Sequence, residues 1–474
     1  MLRAWKLEFE IDAKSGKAIY LQIADAVIRD IQTGRLKPGE ALPGSRNLAQ
    51  LLKVNRNTVI EALNVLLLEG WLVSRERSGT FVSDELPKAG AKDNRPQDTY
   101  KSAEHTKVYR IKFDDGHPDT GIAPITELAR AYRQIFNQKG KWRMMGYSSE
   151  LGNRDFREAV AQMLSHQRAM QVNYKNICIT RGSQMAMYLT AQTLIDEGDC
   201  VIVENPGYQP AWEALQHAGA KLLPAAVDKE GIVLTDILTY LNSNVIKAVY
   251  VTPHRQYPTT VSLSLRRRLE LVALSNKYGF TIIEDDYDNE FHFGYRPILP
   301  LASFAELDNY VYIGTMSKVV APALRIGFLV SSNPAFIERV AGLRRIIDVQ
   351  GDNIMEQAVL QLIKDGTIKK HIKKATAHYR VKRDNVAILL NKHLGQYVDY
   401  TIPDGGLAFW VVPKTAVNWE ELTENLKGHG IKIISPTIYG FNQQAFGLRL
   451  GYGSLPESEL EEALMKMAKY FEKT

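Results

Sequence analysis

Three short stretches, each at the end of a strand-like apolar run, carry side chains that suit a single kind of chemistry. After Ile177–Thr180 comes Arg181-Gly182-Ser183-Gln184, followed by a helical pattern. A Gly-Ser step at a helix start is a ready anion site, because free backbone N–H groups and the helix dipole converge there. The run ending at Glu284 continues as Asp285-Asp286-Tyr287. A strand-end acid beside apolar residues is costly unless something pairs with it. The third stretch is Thr315-Met316-Ser317-Lys318, followed by apolar residues and Arg325. A partly desolvated lysine deprotonates readily and can attack an aldehyde.

Taken singly, each has a plain structural account: a helix cap, a structural acid, a surface lysine. Their joint order points to a pyridoxal 5'-phosphate site. Lys318 can hold the aldehyde carbon and Asp285 the pyridinium nitrogen. Gly, Ser and Thr donors with Arg325 can hold the phosphate. An acid beside the ring nitrogen raises that nitrogen's pKa and preserves the electron sink.

These stretches need a scaffold that brings strand ends together. Seven strand-length apolar runs (177–180, 200–204, 221–227, 247–252, 280–285, 311–315 and 326–331) alternate with amphipathic helical segments. The fold class expected is therefore α/β, with a mainly parallel seven-stranded sheet buried on both faces. Ligands in such sheets bind beyond the carboxyl ends of the strands.

The N-terminal region has a different pattern. Ile19, Ile23, Val27 and Ile31 form one helical stripe over residues 18–33, which GRLKPG ends. Residues 45–52 read as a short helix opened by a capping Ser45. A turn at 53–55 leads to a second helix on which Val59, Leu63, Leu66 and Leu67 form a stripe. Helix, short turn and helix is the helix-turn-helix plan. Residues 71–82 alternate about a turn at Ser78-Gly79, as a β-hairpin wing would. From Pro43 to Ile60 there are cations at Arg46, Lys53 and Arg56 and no acid, and Arg56, Asn57 and Thr58 open the second helix. Such side chains reach phosphates or base edges when a recognition helix enters the major groove by its first turn.

The chain has 474 residues, a net charge of +6 and two cysteines, Cys178 and Cys200. Two cysteines cannot make a disulfide framework, and a reduced, cytoplasmic setting is expected. No apolar run reaches the roughly 18 residues of a membrane span. Residues 85–107 have linker composition, so the expected division is a DNA-binding domain at 1–84, a linker at 85–107 and a ligand domain at 108–474.

Residues 10–83, with LPGSR, VNRNTV and RSGTFV, resemble the winged helix-turn-helix of the GntR family. That resemblance implies DNA contacts from Arg46, Arg56, Asn57 and Thr58, with Gly79 and Thr80 at the wing tip. The remainder resembles a fold-type-I aminotransferase with a smaller C-terminal subdomain, and the fusion is similar to MocR/GabR-type transcriptional regulators. The resemblance rests on FDDGHPD (113–119), YSSELGNRDFREAV (147–160), ITRGSQMA (179–186), ENPGY (204–208), TPHRQYPT (252–259), IIEDDYDNEF (282–291), GTMSKVVAPALRIGFL (314–329) and GLRLGY (447–452).

It implies Lys318 as the cofactor-bearing lysine, Asp285 on the ring nitrogen, Tyr287 on the phenolic oxygen and Tyr208 stacked on the ring. Ser183, Gln184, Thr315, Ser317 and Arg325 would contact the phosphate, Arg449 an effector carboxylate, and Tyr147 the partner subunit's cofactor. Where GABA-responsive relatives place an arginine two residues after the stacking tyrosine, this chain has Pro210; Arg255 is the replacement cation on offer. The implied function is a homodimeric regulator that reads double-stranded DNA and senses an amino compound, through an external aldimine formed at Lys318, or pyridoxal phosphate itself. It would not be an enzyme and would hold no metal. The alternative is a working aminotransferase with an accessory DNA-binding head.

Overall fold

The computed structural model describes residues 9, 11–12, 15–75, 79–87, 109–137, 142, 145–294, 298–444 and 446–472. The chain forms two compact units, residues 1–106 and 107–474. Most of the expected linker lies outside the described residues.

In the first unit, α1 (Ile19–Gln32) buries Ile23, Val27 and Ile31, while Ile19 stays partly exposed. The next helix, α2 (Ser45–Leu52), is capped by Gly44 through its backbone alone, so Ser45 is not a cap. Its hydroxyl instead accepts from Arg56 Nε at 3.3 Å. Lys53 adopts a left-handed conformation that ends α2, and Asn55 then caps α3 (Arg56–Leu68), accepting from the Asn57 N–H at 2.8 Å. The buried line on α3 is Val59, Ala62 and Leu66, not the larger Leu63 and Leu67. The reason is close packing: the i, i+3, i+7 line faces α1, and a small Ala62 lets the two helices approach. Strands β1 (Leu72–Arg75) and β2 (Gly79–Val82) pair antiparallel as the wing, with Ser74 opposite Thr80. The turn between them, including Ser78, lies outside the described residues.

The second unit opens with β3 (Ile111–Lys112). Its main sheet has eight strands: β4 (Ile177–Thr180), β5 (Cys200–Asn205), β6 (Lys221–Asp228), β7 (Gly231–Ile232), β8 (Ile246–Val251), β9 (Thr281–Asp286), β10 (Tyr310–Thr315) and β11 (Gly327–Val330). Their order across the sheet is β4-β11-β10-β9-β8-β5-β6-β7. All seven expected strands are present; the eighth, β7, is a two-residue strand on the edge. Only β11 and β7 run antiparallel to their neighbours.

Alternation along the strands feeds two cores. Ile179, Ile202, Val249 and Ile282 face one layer, while Cys178, Val201, Val203, Tyr250 and Ile283 face the other. A third core belongs to the C-terminal subdomain. There β12 (Val398–Tyr400), β13 (Ala408–Pro413) and β15 (Leu448–Gly451) form an antiparallel sheet. Beside it, β14 (Ile431–Lys432) pairs with β3, which ties the start of the unit to its end.

Candidate cofactor site

The parallel strands end on one side of the sheet, and there the three chemistry-bearing stretches converge. A cavity of about 170 Å³ is lined by Ser183, Tyr208, Asp285, Tyr287, Thr315, Ser317, Lys318 and Arg325, with Asp115, Tyr250 and Tyr257 among its other walls. Eight of the nine residues expected to hold a cofactor therefore meet in one space. The ninth, Gln184, stands just behind: its side-chain nitrogen donates to the Pro210 carbonyl at 3.1 Å, and the Tyr208 hydroxyl donates to its oxygen at 3.4 Å.

The two adjacent acids of β9 have opposite environments, because neighbouring strand residues face opposite sides of the sheet. Asp286 lies among cations and donors: its Oδ2 accepts from Tyr312 Oη at 2.5 Å and Asn289 Nδ2 at 3.1 Å with Arg168 Nε 3.8 Å away, and its Oδ1, which has no hydrogen bond, is 3.3 Å from His254 Nδ1. Despite burial, His254 and Arg168 hold its carboxyl below the usual range. Asp285 has one partner, Tyr250 Oη, which donates to Oδ2 at 2.9 Å, and its buried Oδ1 has none. Burial pushes the Asp285 carboxyl up to about 7. A buried carboxylate oxygen left without a donor is a vacancy for a positively charged N–H.

Lys318 is almost enclosed, its Nζ 4.0 Å from Asp288 Oδ2 and 4.7 Å from the centre of the Tyr287 ring. Burial lowers its pKa, with Asp288 opposing. Opposite it, Gly182 at φ +84° precedes α4, the helix Ser183–Leu194. A Cβ at Gly182 would come within 2.7 Å of the Arg325 guanidinium, and one at Gly327 within 2.5 Å of the Gly182 backbone. Both glycines are thus required for the close approach of Arg325 to the helix start. The buried Ser317 Oγ has no partner and faces the same corner. Backbone N–H groups at a helix start, an unused hydroxyl and a guanidinium make a phosphate cradle. Residues and vacancies together fit pyridoxal phosphate.

Two expected effector residues are placed differently. Arg449, fully buried on β15, donates to the carbonyls of Pro258 (2.9 Å) and Asp115 (3.2 Å), with Tyr287 Oη 3.5 Å away. It stands at the edge of the site. Arg255 does not reach the cavity: its guanidinium turns to the carbonyls of Asp288 and Phe291, packed against Gly405. A buried guanidinium must satisfy its N–H groups, and here the backbone does so. Tyr147 is highly exposed.

Sequence reading missed Asp115, Tyr250 and Tyr257. Tyr257 Oη donates to Asp115 Oδ1 at 2.5 Å and its ring meets Tyr208 edge-on at 5.0 Å. Tyr250 was findable: it pairs in register with Ile283, two residues before Asp285 on the same face. Asp115 and Tyr257 lie within FDDGHPD and TPHRQYPT, but nothing local gave them a role, since their pairing spans 142 residues of chain.

These features define a cofactor-binding unit of the aminotransferase type, joined to a winged helix-turn-helix. The profile "Aminotransferase class I and II" matches residues 110–467, and "Bacterial regulatory proteins, gntR family" matches 19–82. The chain belongs to the aminotransferase class I and II family, in the arrangement that places a gntR-family domain before it. It is 27% identical to the probable rhizopine catabolism regulatory protein MocR of Rhizobium meliloti, over 97% of this chain and 95% of that protein. It is also 27% identical to the HTH-type transcriptional regulator TauR of Rhodobacter capsulatus, over 94% and 95%. An archaeal alanine:glyoxylate aminotransferase structure superposes with a TM-score of 0.72 at 25% identity, covering 77% of this chain and 91% of that one. Among the described residues no helix is long and apolar enough to cross a membrane, and no cluster of residues could hold a metal ion.

Proposed function

We propose that this protein is a cytoplasmic, ligand-responsive transcriptional regulator in which the aminotransferase-like unit is a sensor. The observation that carries the reading is the joining, in one chain, of a gntR-family head and an aminotransferase-type unit whose cavity gathers eight of the nine expected cofactor residues, the chain being similar along nearly its whole length to transcriptional regulators.

When bound, pyridoxal phosphate supplies an aldehyde carbon that an amine can engage and a ring that withdraws electrons. The residues of this chain do the rest. Asp285 Oδ1 would take the ring nitrogen, while Tyr250 fixes the other oxygen. The start of α4, Ser317 and Arg325 would hold the phosphate. Burial lowers the pKa of the Lys318 amine, the group that would hold the aldehyde carbon, and Asp288 Oδ2, 4.0 Å from Nζ, can hold its ammonium form. A ligand carboxylate would draw Arg449 from two neutral carbonyls, since charge-assisted hydrogen bonds are the stronger. That exchange frees the Pro258 and Asp115 segments, giving the ligand a differential affinity for two arrangements, without which no ligand can shift a conformational equilibrium.

A homodimer is part of the proposal. Exposed Trp142, Met145 and Tyr147 lie on one segment, and exposed Ile346 and Val349 on another. The segments are joined by Ser148–Gln350 and Arg345–Glu150 contacts. This is the apolar face that a second copy would cover, and paired heads suit paired half-sites.

The cavity and the likeness to an aminotransferase structure also support a second reading, a working aminotransferase. An absorbance titration of the purified protein with amino acids, amines and D-amino acids, run alongside operator binding, separates the two. A regulator changes its spectrum and its DNA affinity together, whereas an enzyme turns over repeatedly with a keto-acid acceptor and leaves DNA affinity unchanged.

A further inference from the structure

The first half of one long helix of the sensor unit carries a charge pattern that neither the cofactor site nor the fold uses. The helix is Thr367–Leu394, and between Thr367 and Arg383 it has seven Lys and Arg residues and no acid. Lys382 and Arg383 are committed: Lys382 Nζ donates to the Gly453 carbonyl at 2.7 Å, and Arg383 donates to the Pro403 carbonyl and to Asp384. Lys369, Lys370, Lys373, Lys374 and Arg380 are exposed, and none has an ion-pair partner among the described residues. The same face shows only Ala377 and Val381 as exposed apolar residues, too little to enter a bilayer.

For the isolated helix this arrangement is unfavourable. Cations in the first turn oppose the macrodipole, and the like-charged pairs 369–373 and 370–374 repel at i, i+4 spacing. The nearest acid in sequence, Asp365, is occupied as an acceptor for the Thr367 N–H. From Lys369 to Arg380 the cations span about 16 Å at 1.5 Å per residue. Over that distance a DNA strand presents a phosphate roughly every 3.4 Å of axis.

We infer that this face of the sensor unit is a second DNA-contacting surface, which binds the phosphate backbone of the duplex held by the winged head. The inference rests on the regulator reading above, because it takes its partner from it. Such a contact carries no base specificity; it adds affinity and constrains the path of the DNA, and it gives the sensor a direct purchase on its operator.

The test uses the full-length protein loaded with pyridoxal phosphate and a long duplex centred on the operator. One variant replaces Lys369, Lys370, Lys373 and Lys374 by Gln. A control makes the same charge change at the exposed Lys175, Lys221, Lys277 and Lys469. Near-visible cofactor absorbance verifies that both are folded. The logarithm of the DNA binding constant is measured against the logarithm of salt concentration. The expected result is a slope shallower by about 0.9 for each lysine that reaches a phosphate, up to ~3.6, in the first variant alone. Equal slopes in the two variants would overturn the inference, as would an unchanged DNA slope accompanied by lost binding to anionic vesicles. Absence of any salt-dependent DNA binding by the unaltered protein would instead overturn the regulator reading itself.

Discussion

Replacing Asp285 by Asn tests the electrostatic logic of the cavity. In the cofactor-free protein the Asp285 carboxyl is buried, has one hydrogen bond from Tyr250, and is pushed from an ordinary 3.8 to about 7. The sign follows from proton linkage. Between those two values the native state keeps a proton that the unfolded chain has released, so stability is fully present below 3.8 and is lost as pH rises through about 7. One unit corresponds to about 1.36 kcal/mol, so the two units above about pH 5 amount to at most ~3 kcal/mol. Glu204, Glu284, Glu290 and Glu356 are raised by burial into the same window, so the diagnostic quantity is the difference between parent and variant. Urea unfolding of both cofactor-free proteins from about pH 5 to about pH 8, followed by tryptophan fluorescence, gives that difference. The parent is expected to lose up to ~3 kcal/mol more than Asp285→Asn. Parallel pH profiles would refute the reasoning. Added pyridoxal phosphate should abolish the excess slope in the parent, because the ring N–H then pairs with Oδ1.

Other outcomes follow from the same geometry. Gly182→Ala puts a Cβ within 2.7 Å of the Arg325 guanidinium and pushes it from the phosphate corner; with a charge-assisted contact of about 1.5–3 kcal/mol lost, cofactor affinity by absorbance titration should fall roughly tenfold or more. Unchanged affinity would remove Arg325 from the cradle. Arg56→Ala should weaken operator binding by about 1–3 kcal/mol without altering the cofactor spectrum, and undiminished binding in a mobility-shift assay would exclude Arg56 from recognition.

Much of this was legible in the sequence because it depends on local order. Strand ends, helix starts and turn residues follow from periodicity, and the three cofactor stretches each sit within a few residues of such a boundary. What escaped depends on pairing across the chain. Asp285 and Asp286 look alike until the sheet sends one to the cavity and the other to Arg168, His254 and Tyr312. Arg255 looked like a free cation, but the turn at Asp288 and Phe291 offers it carbonyl acceptors. Ser45 looked like a cap, yet Gly44 takes that position and the hydroxyl serves Arg56. In each case side-chain type was readable, and its partner was set by tertiary structure.

The central claim, that an amine engaging the cofactor cavity alters DNA binding, is tested most directly by one paired titration. Operator affinity and near-visible absorbance are recorded on the same samples as an amine is added to the parent protein and to Lys318→Ala. The expected result is a spectral change and a change in operator affinity at the same amine concentration in the parent, with both responses absent or displaced in Lys318→Ala. A spectral change with operator affinity constant throughout, accompanied by repeated turnover of the amine, would contradict it.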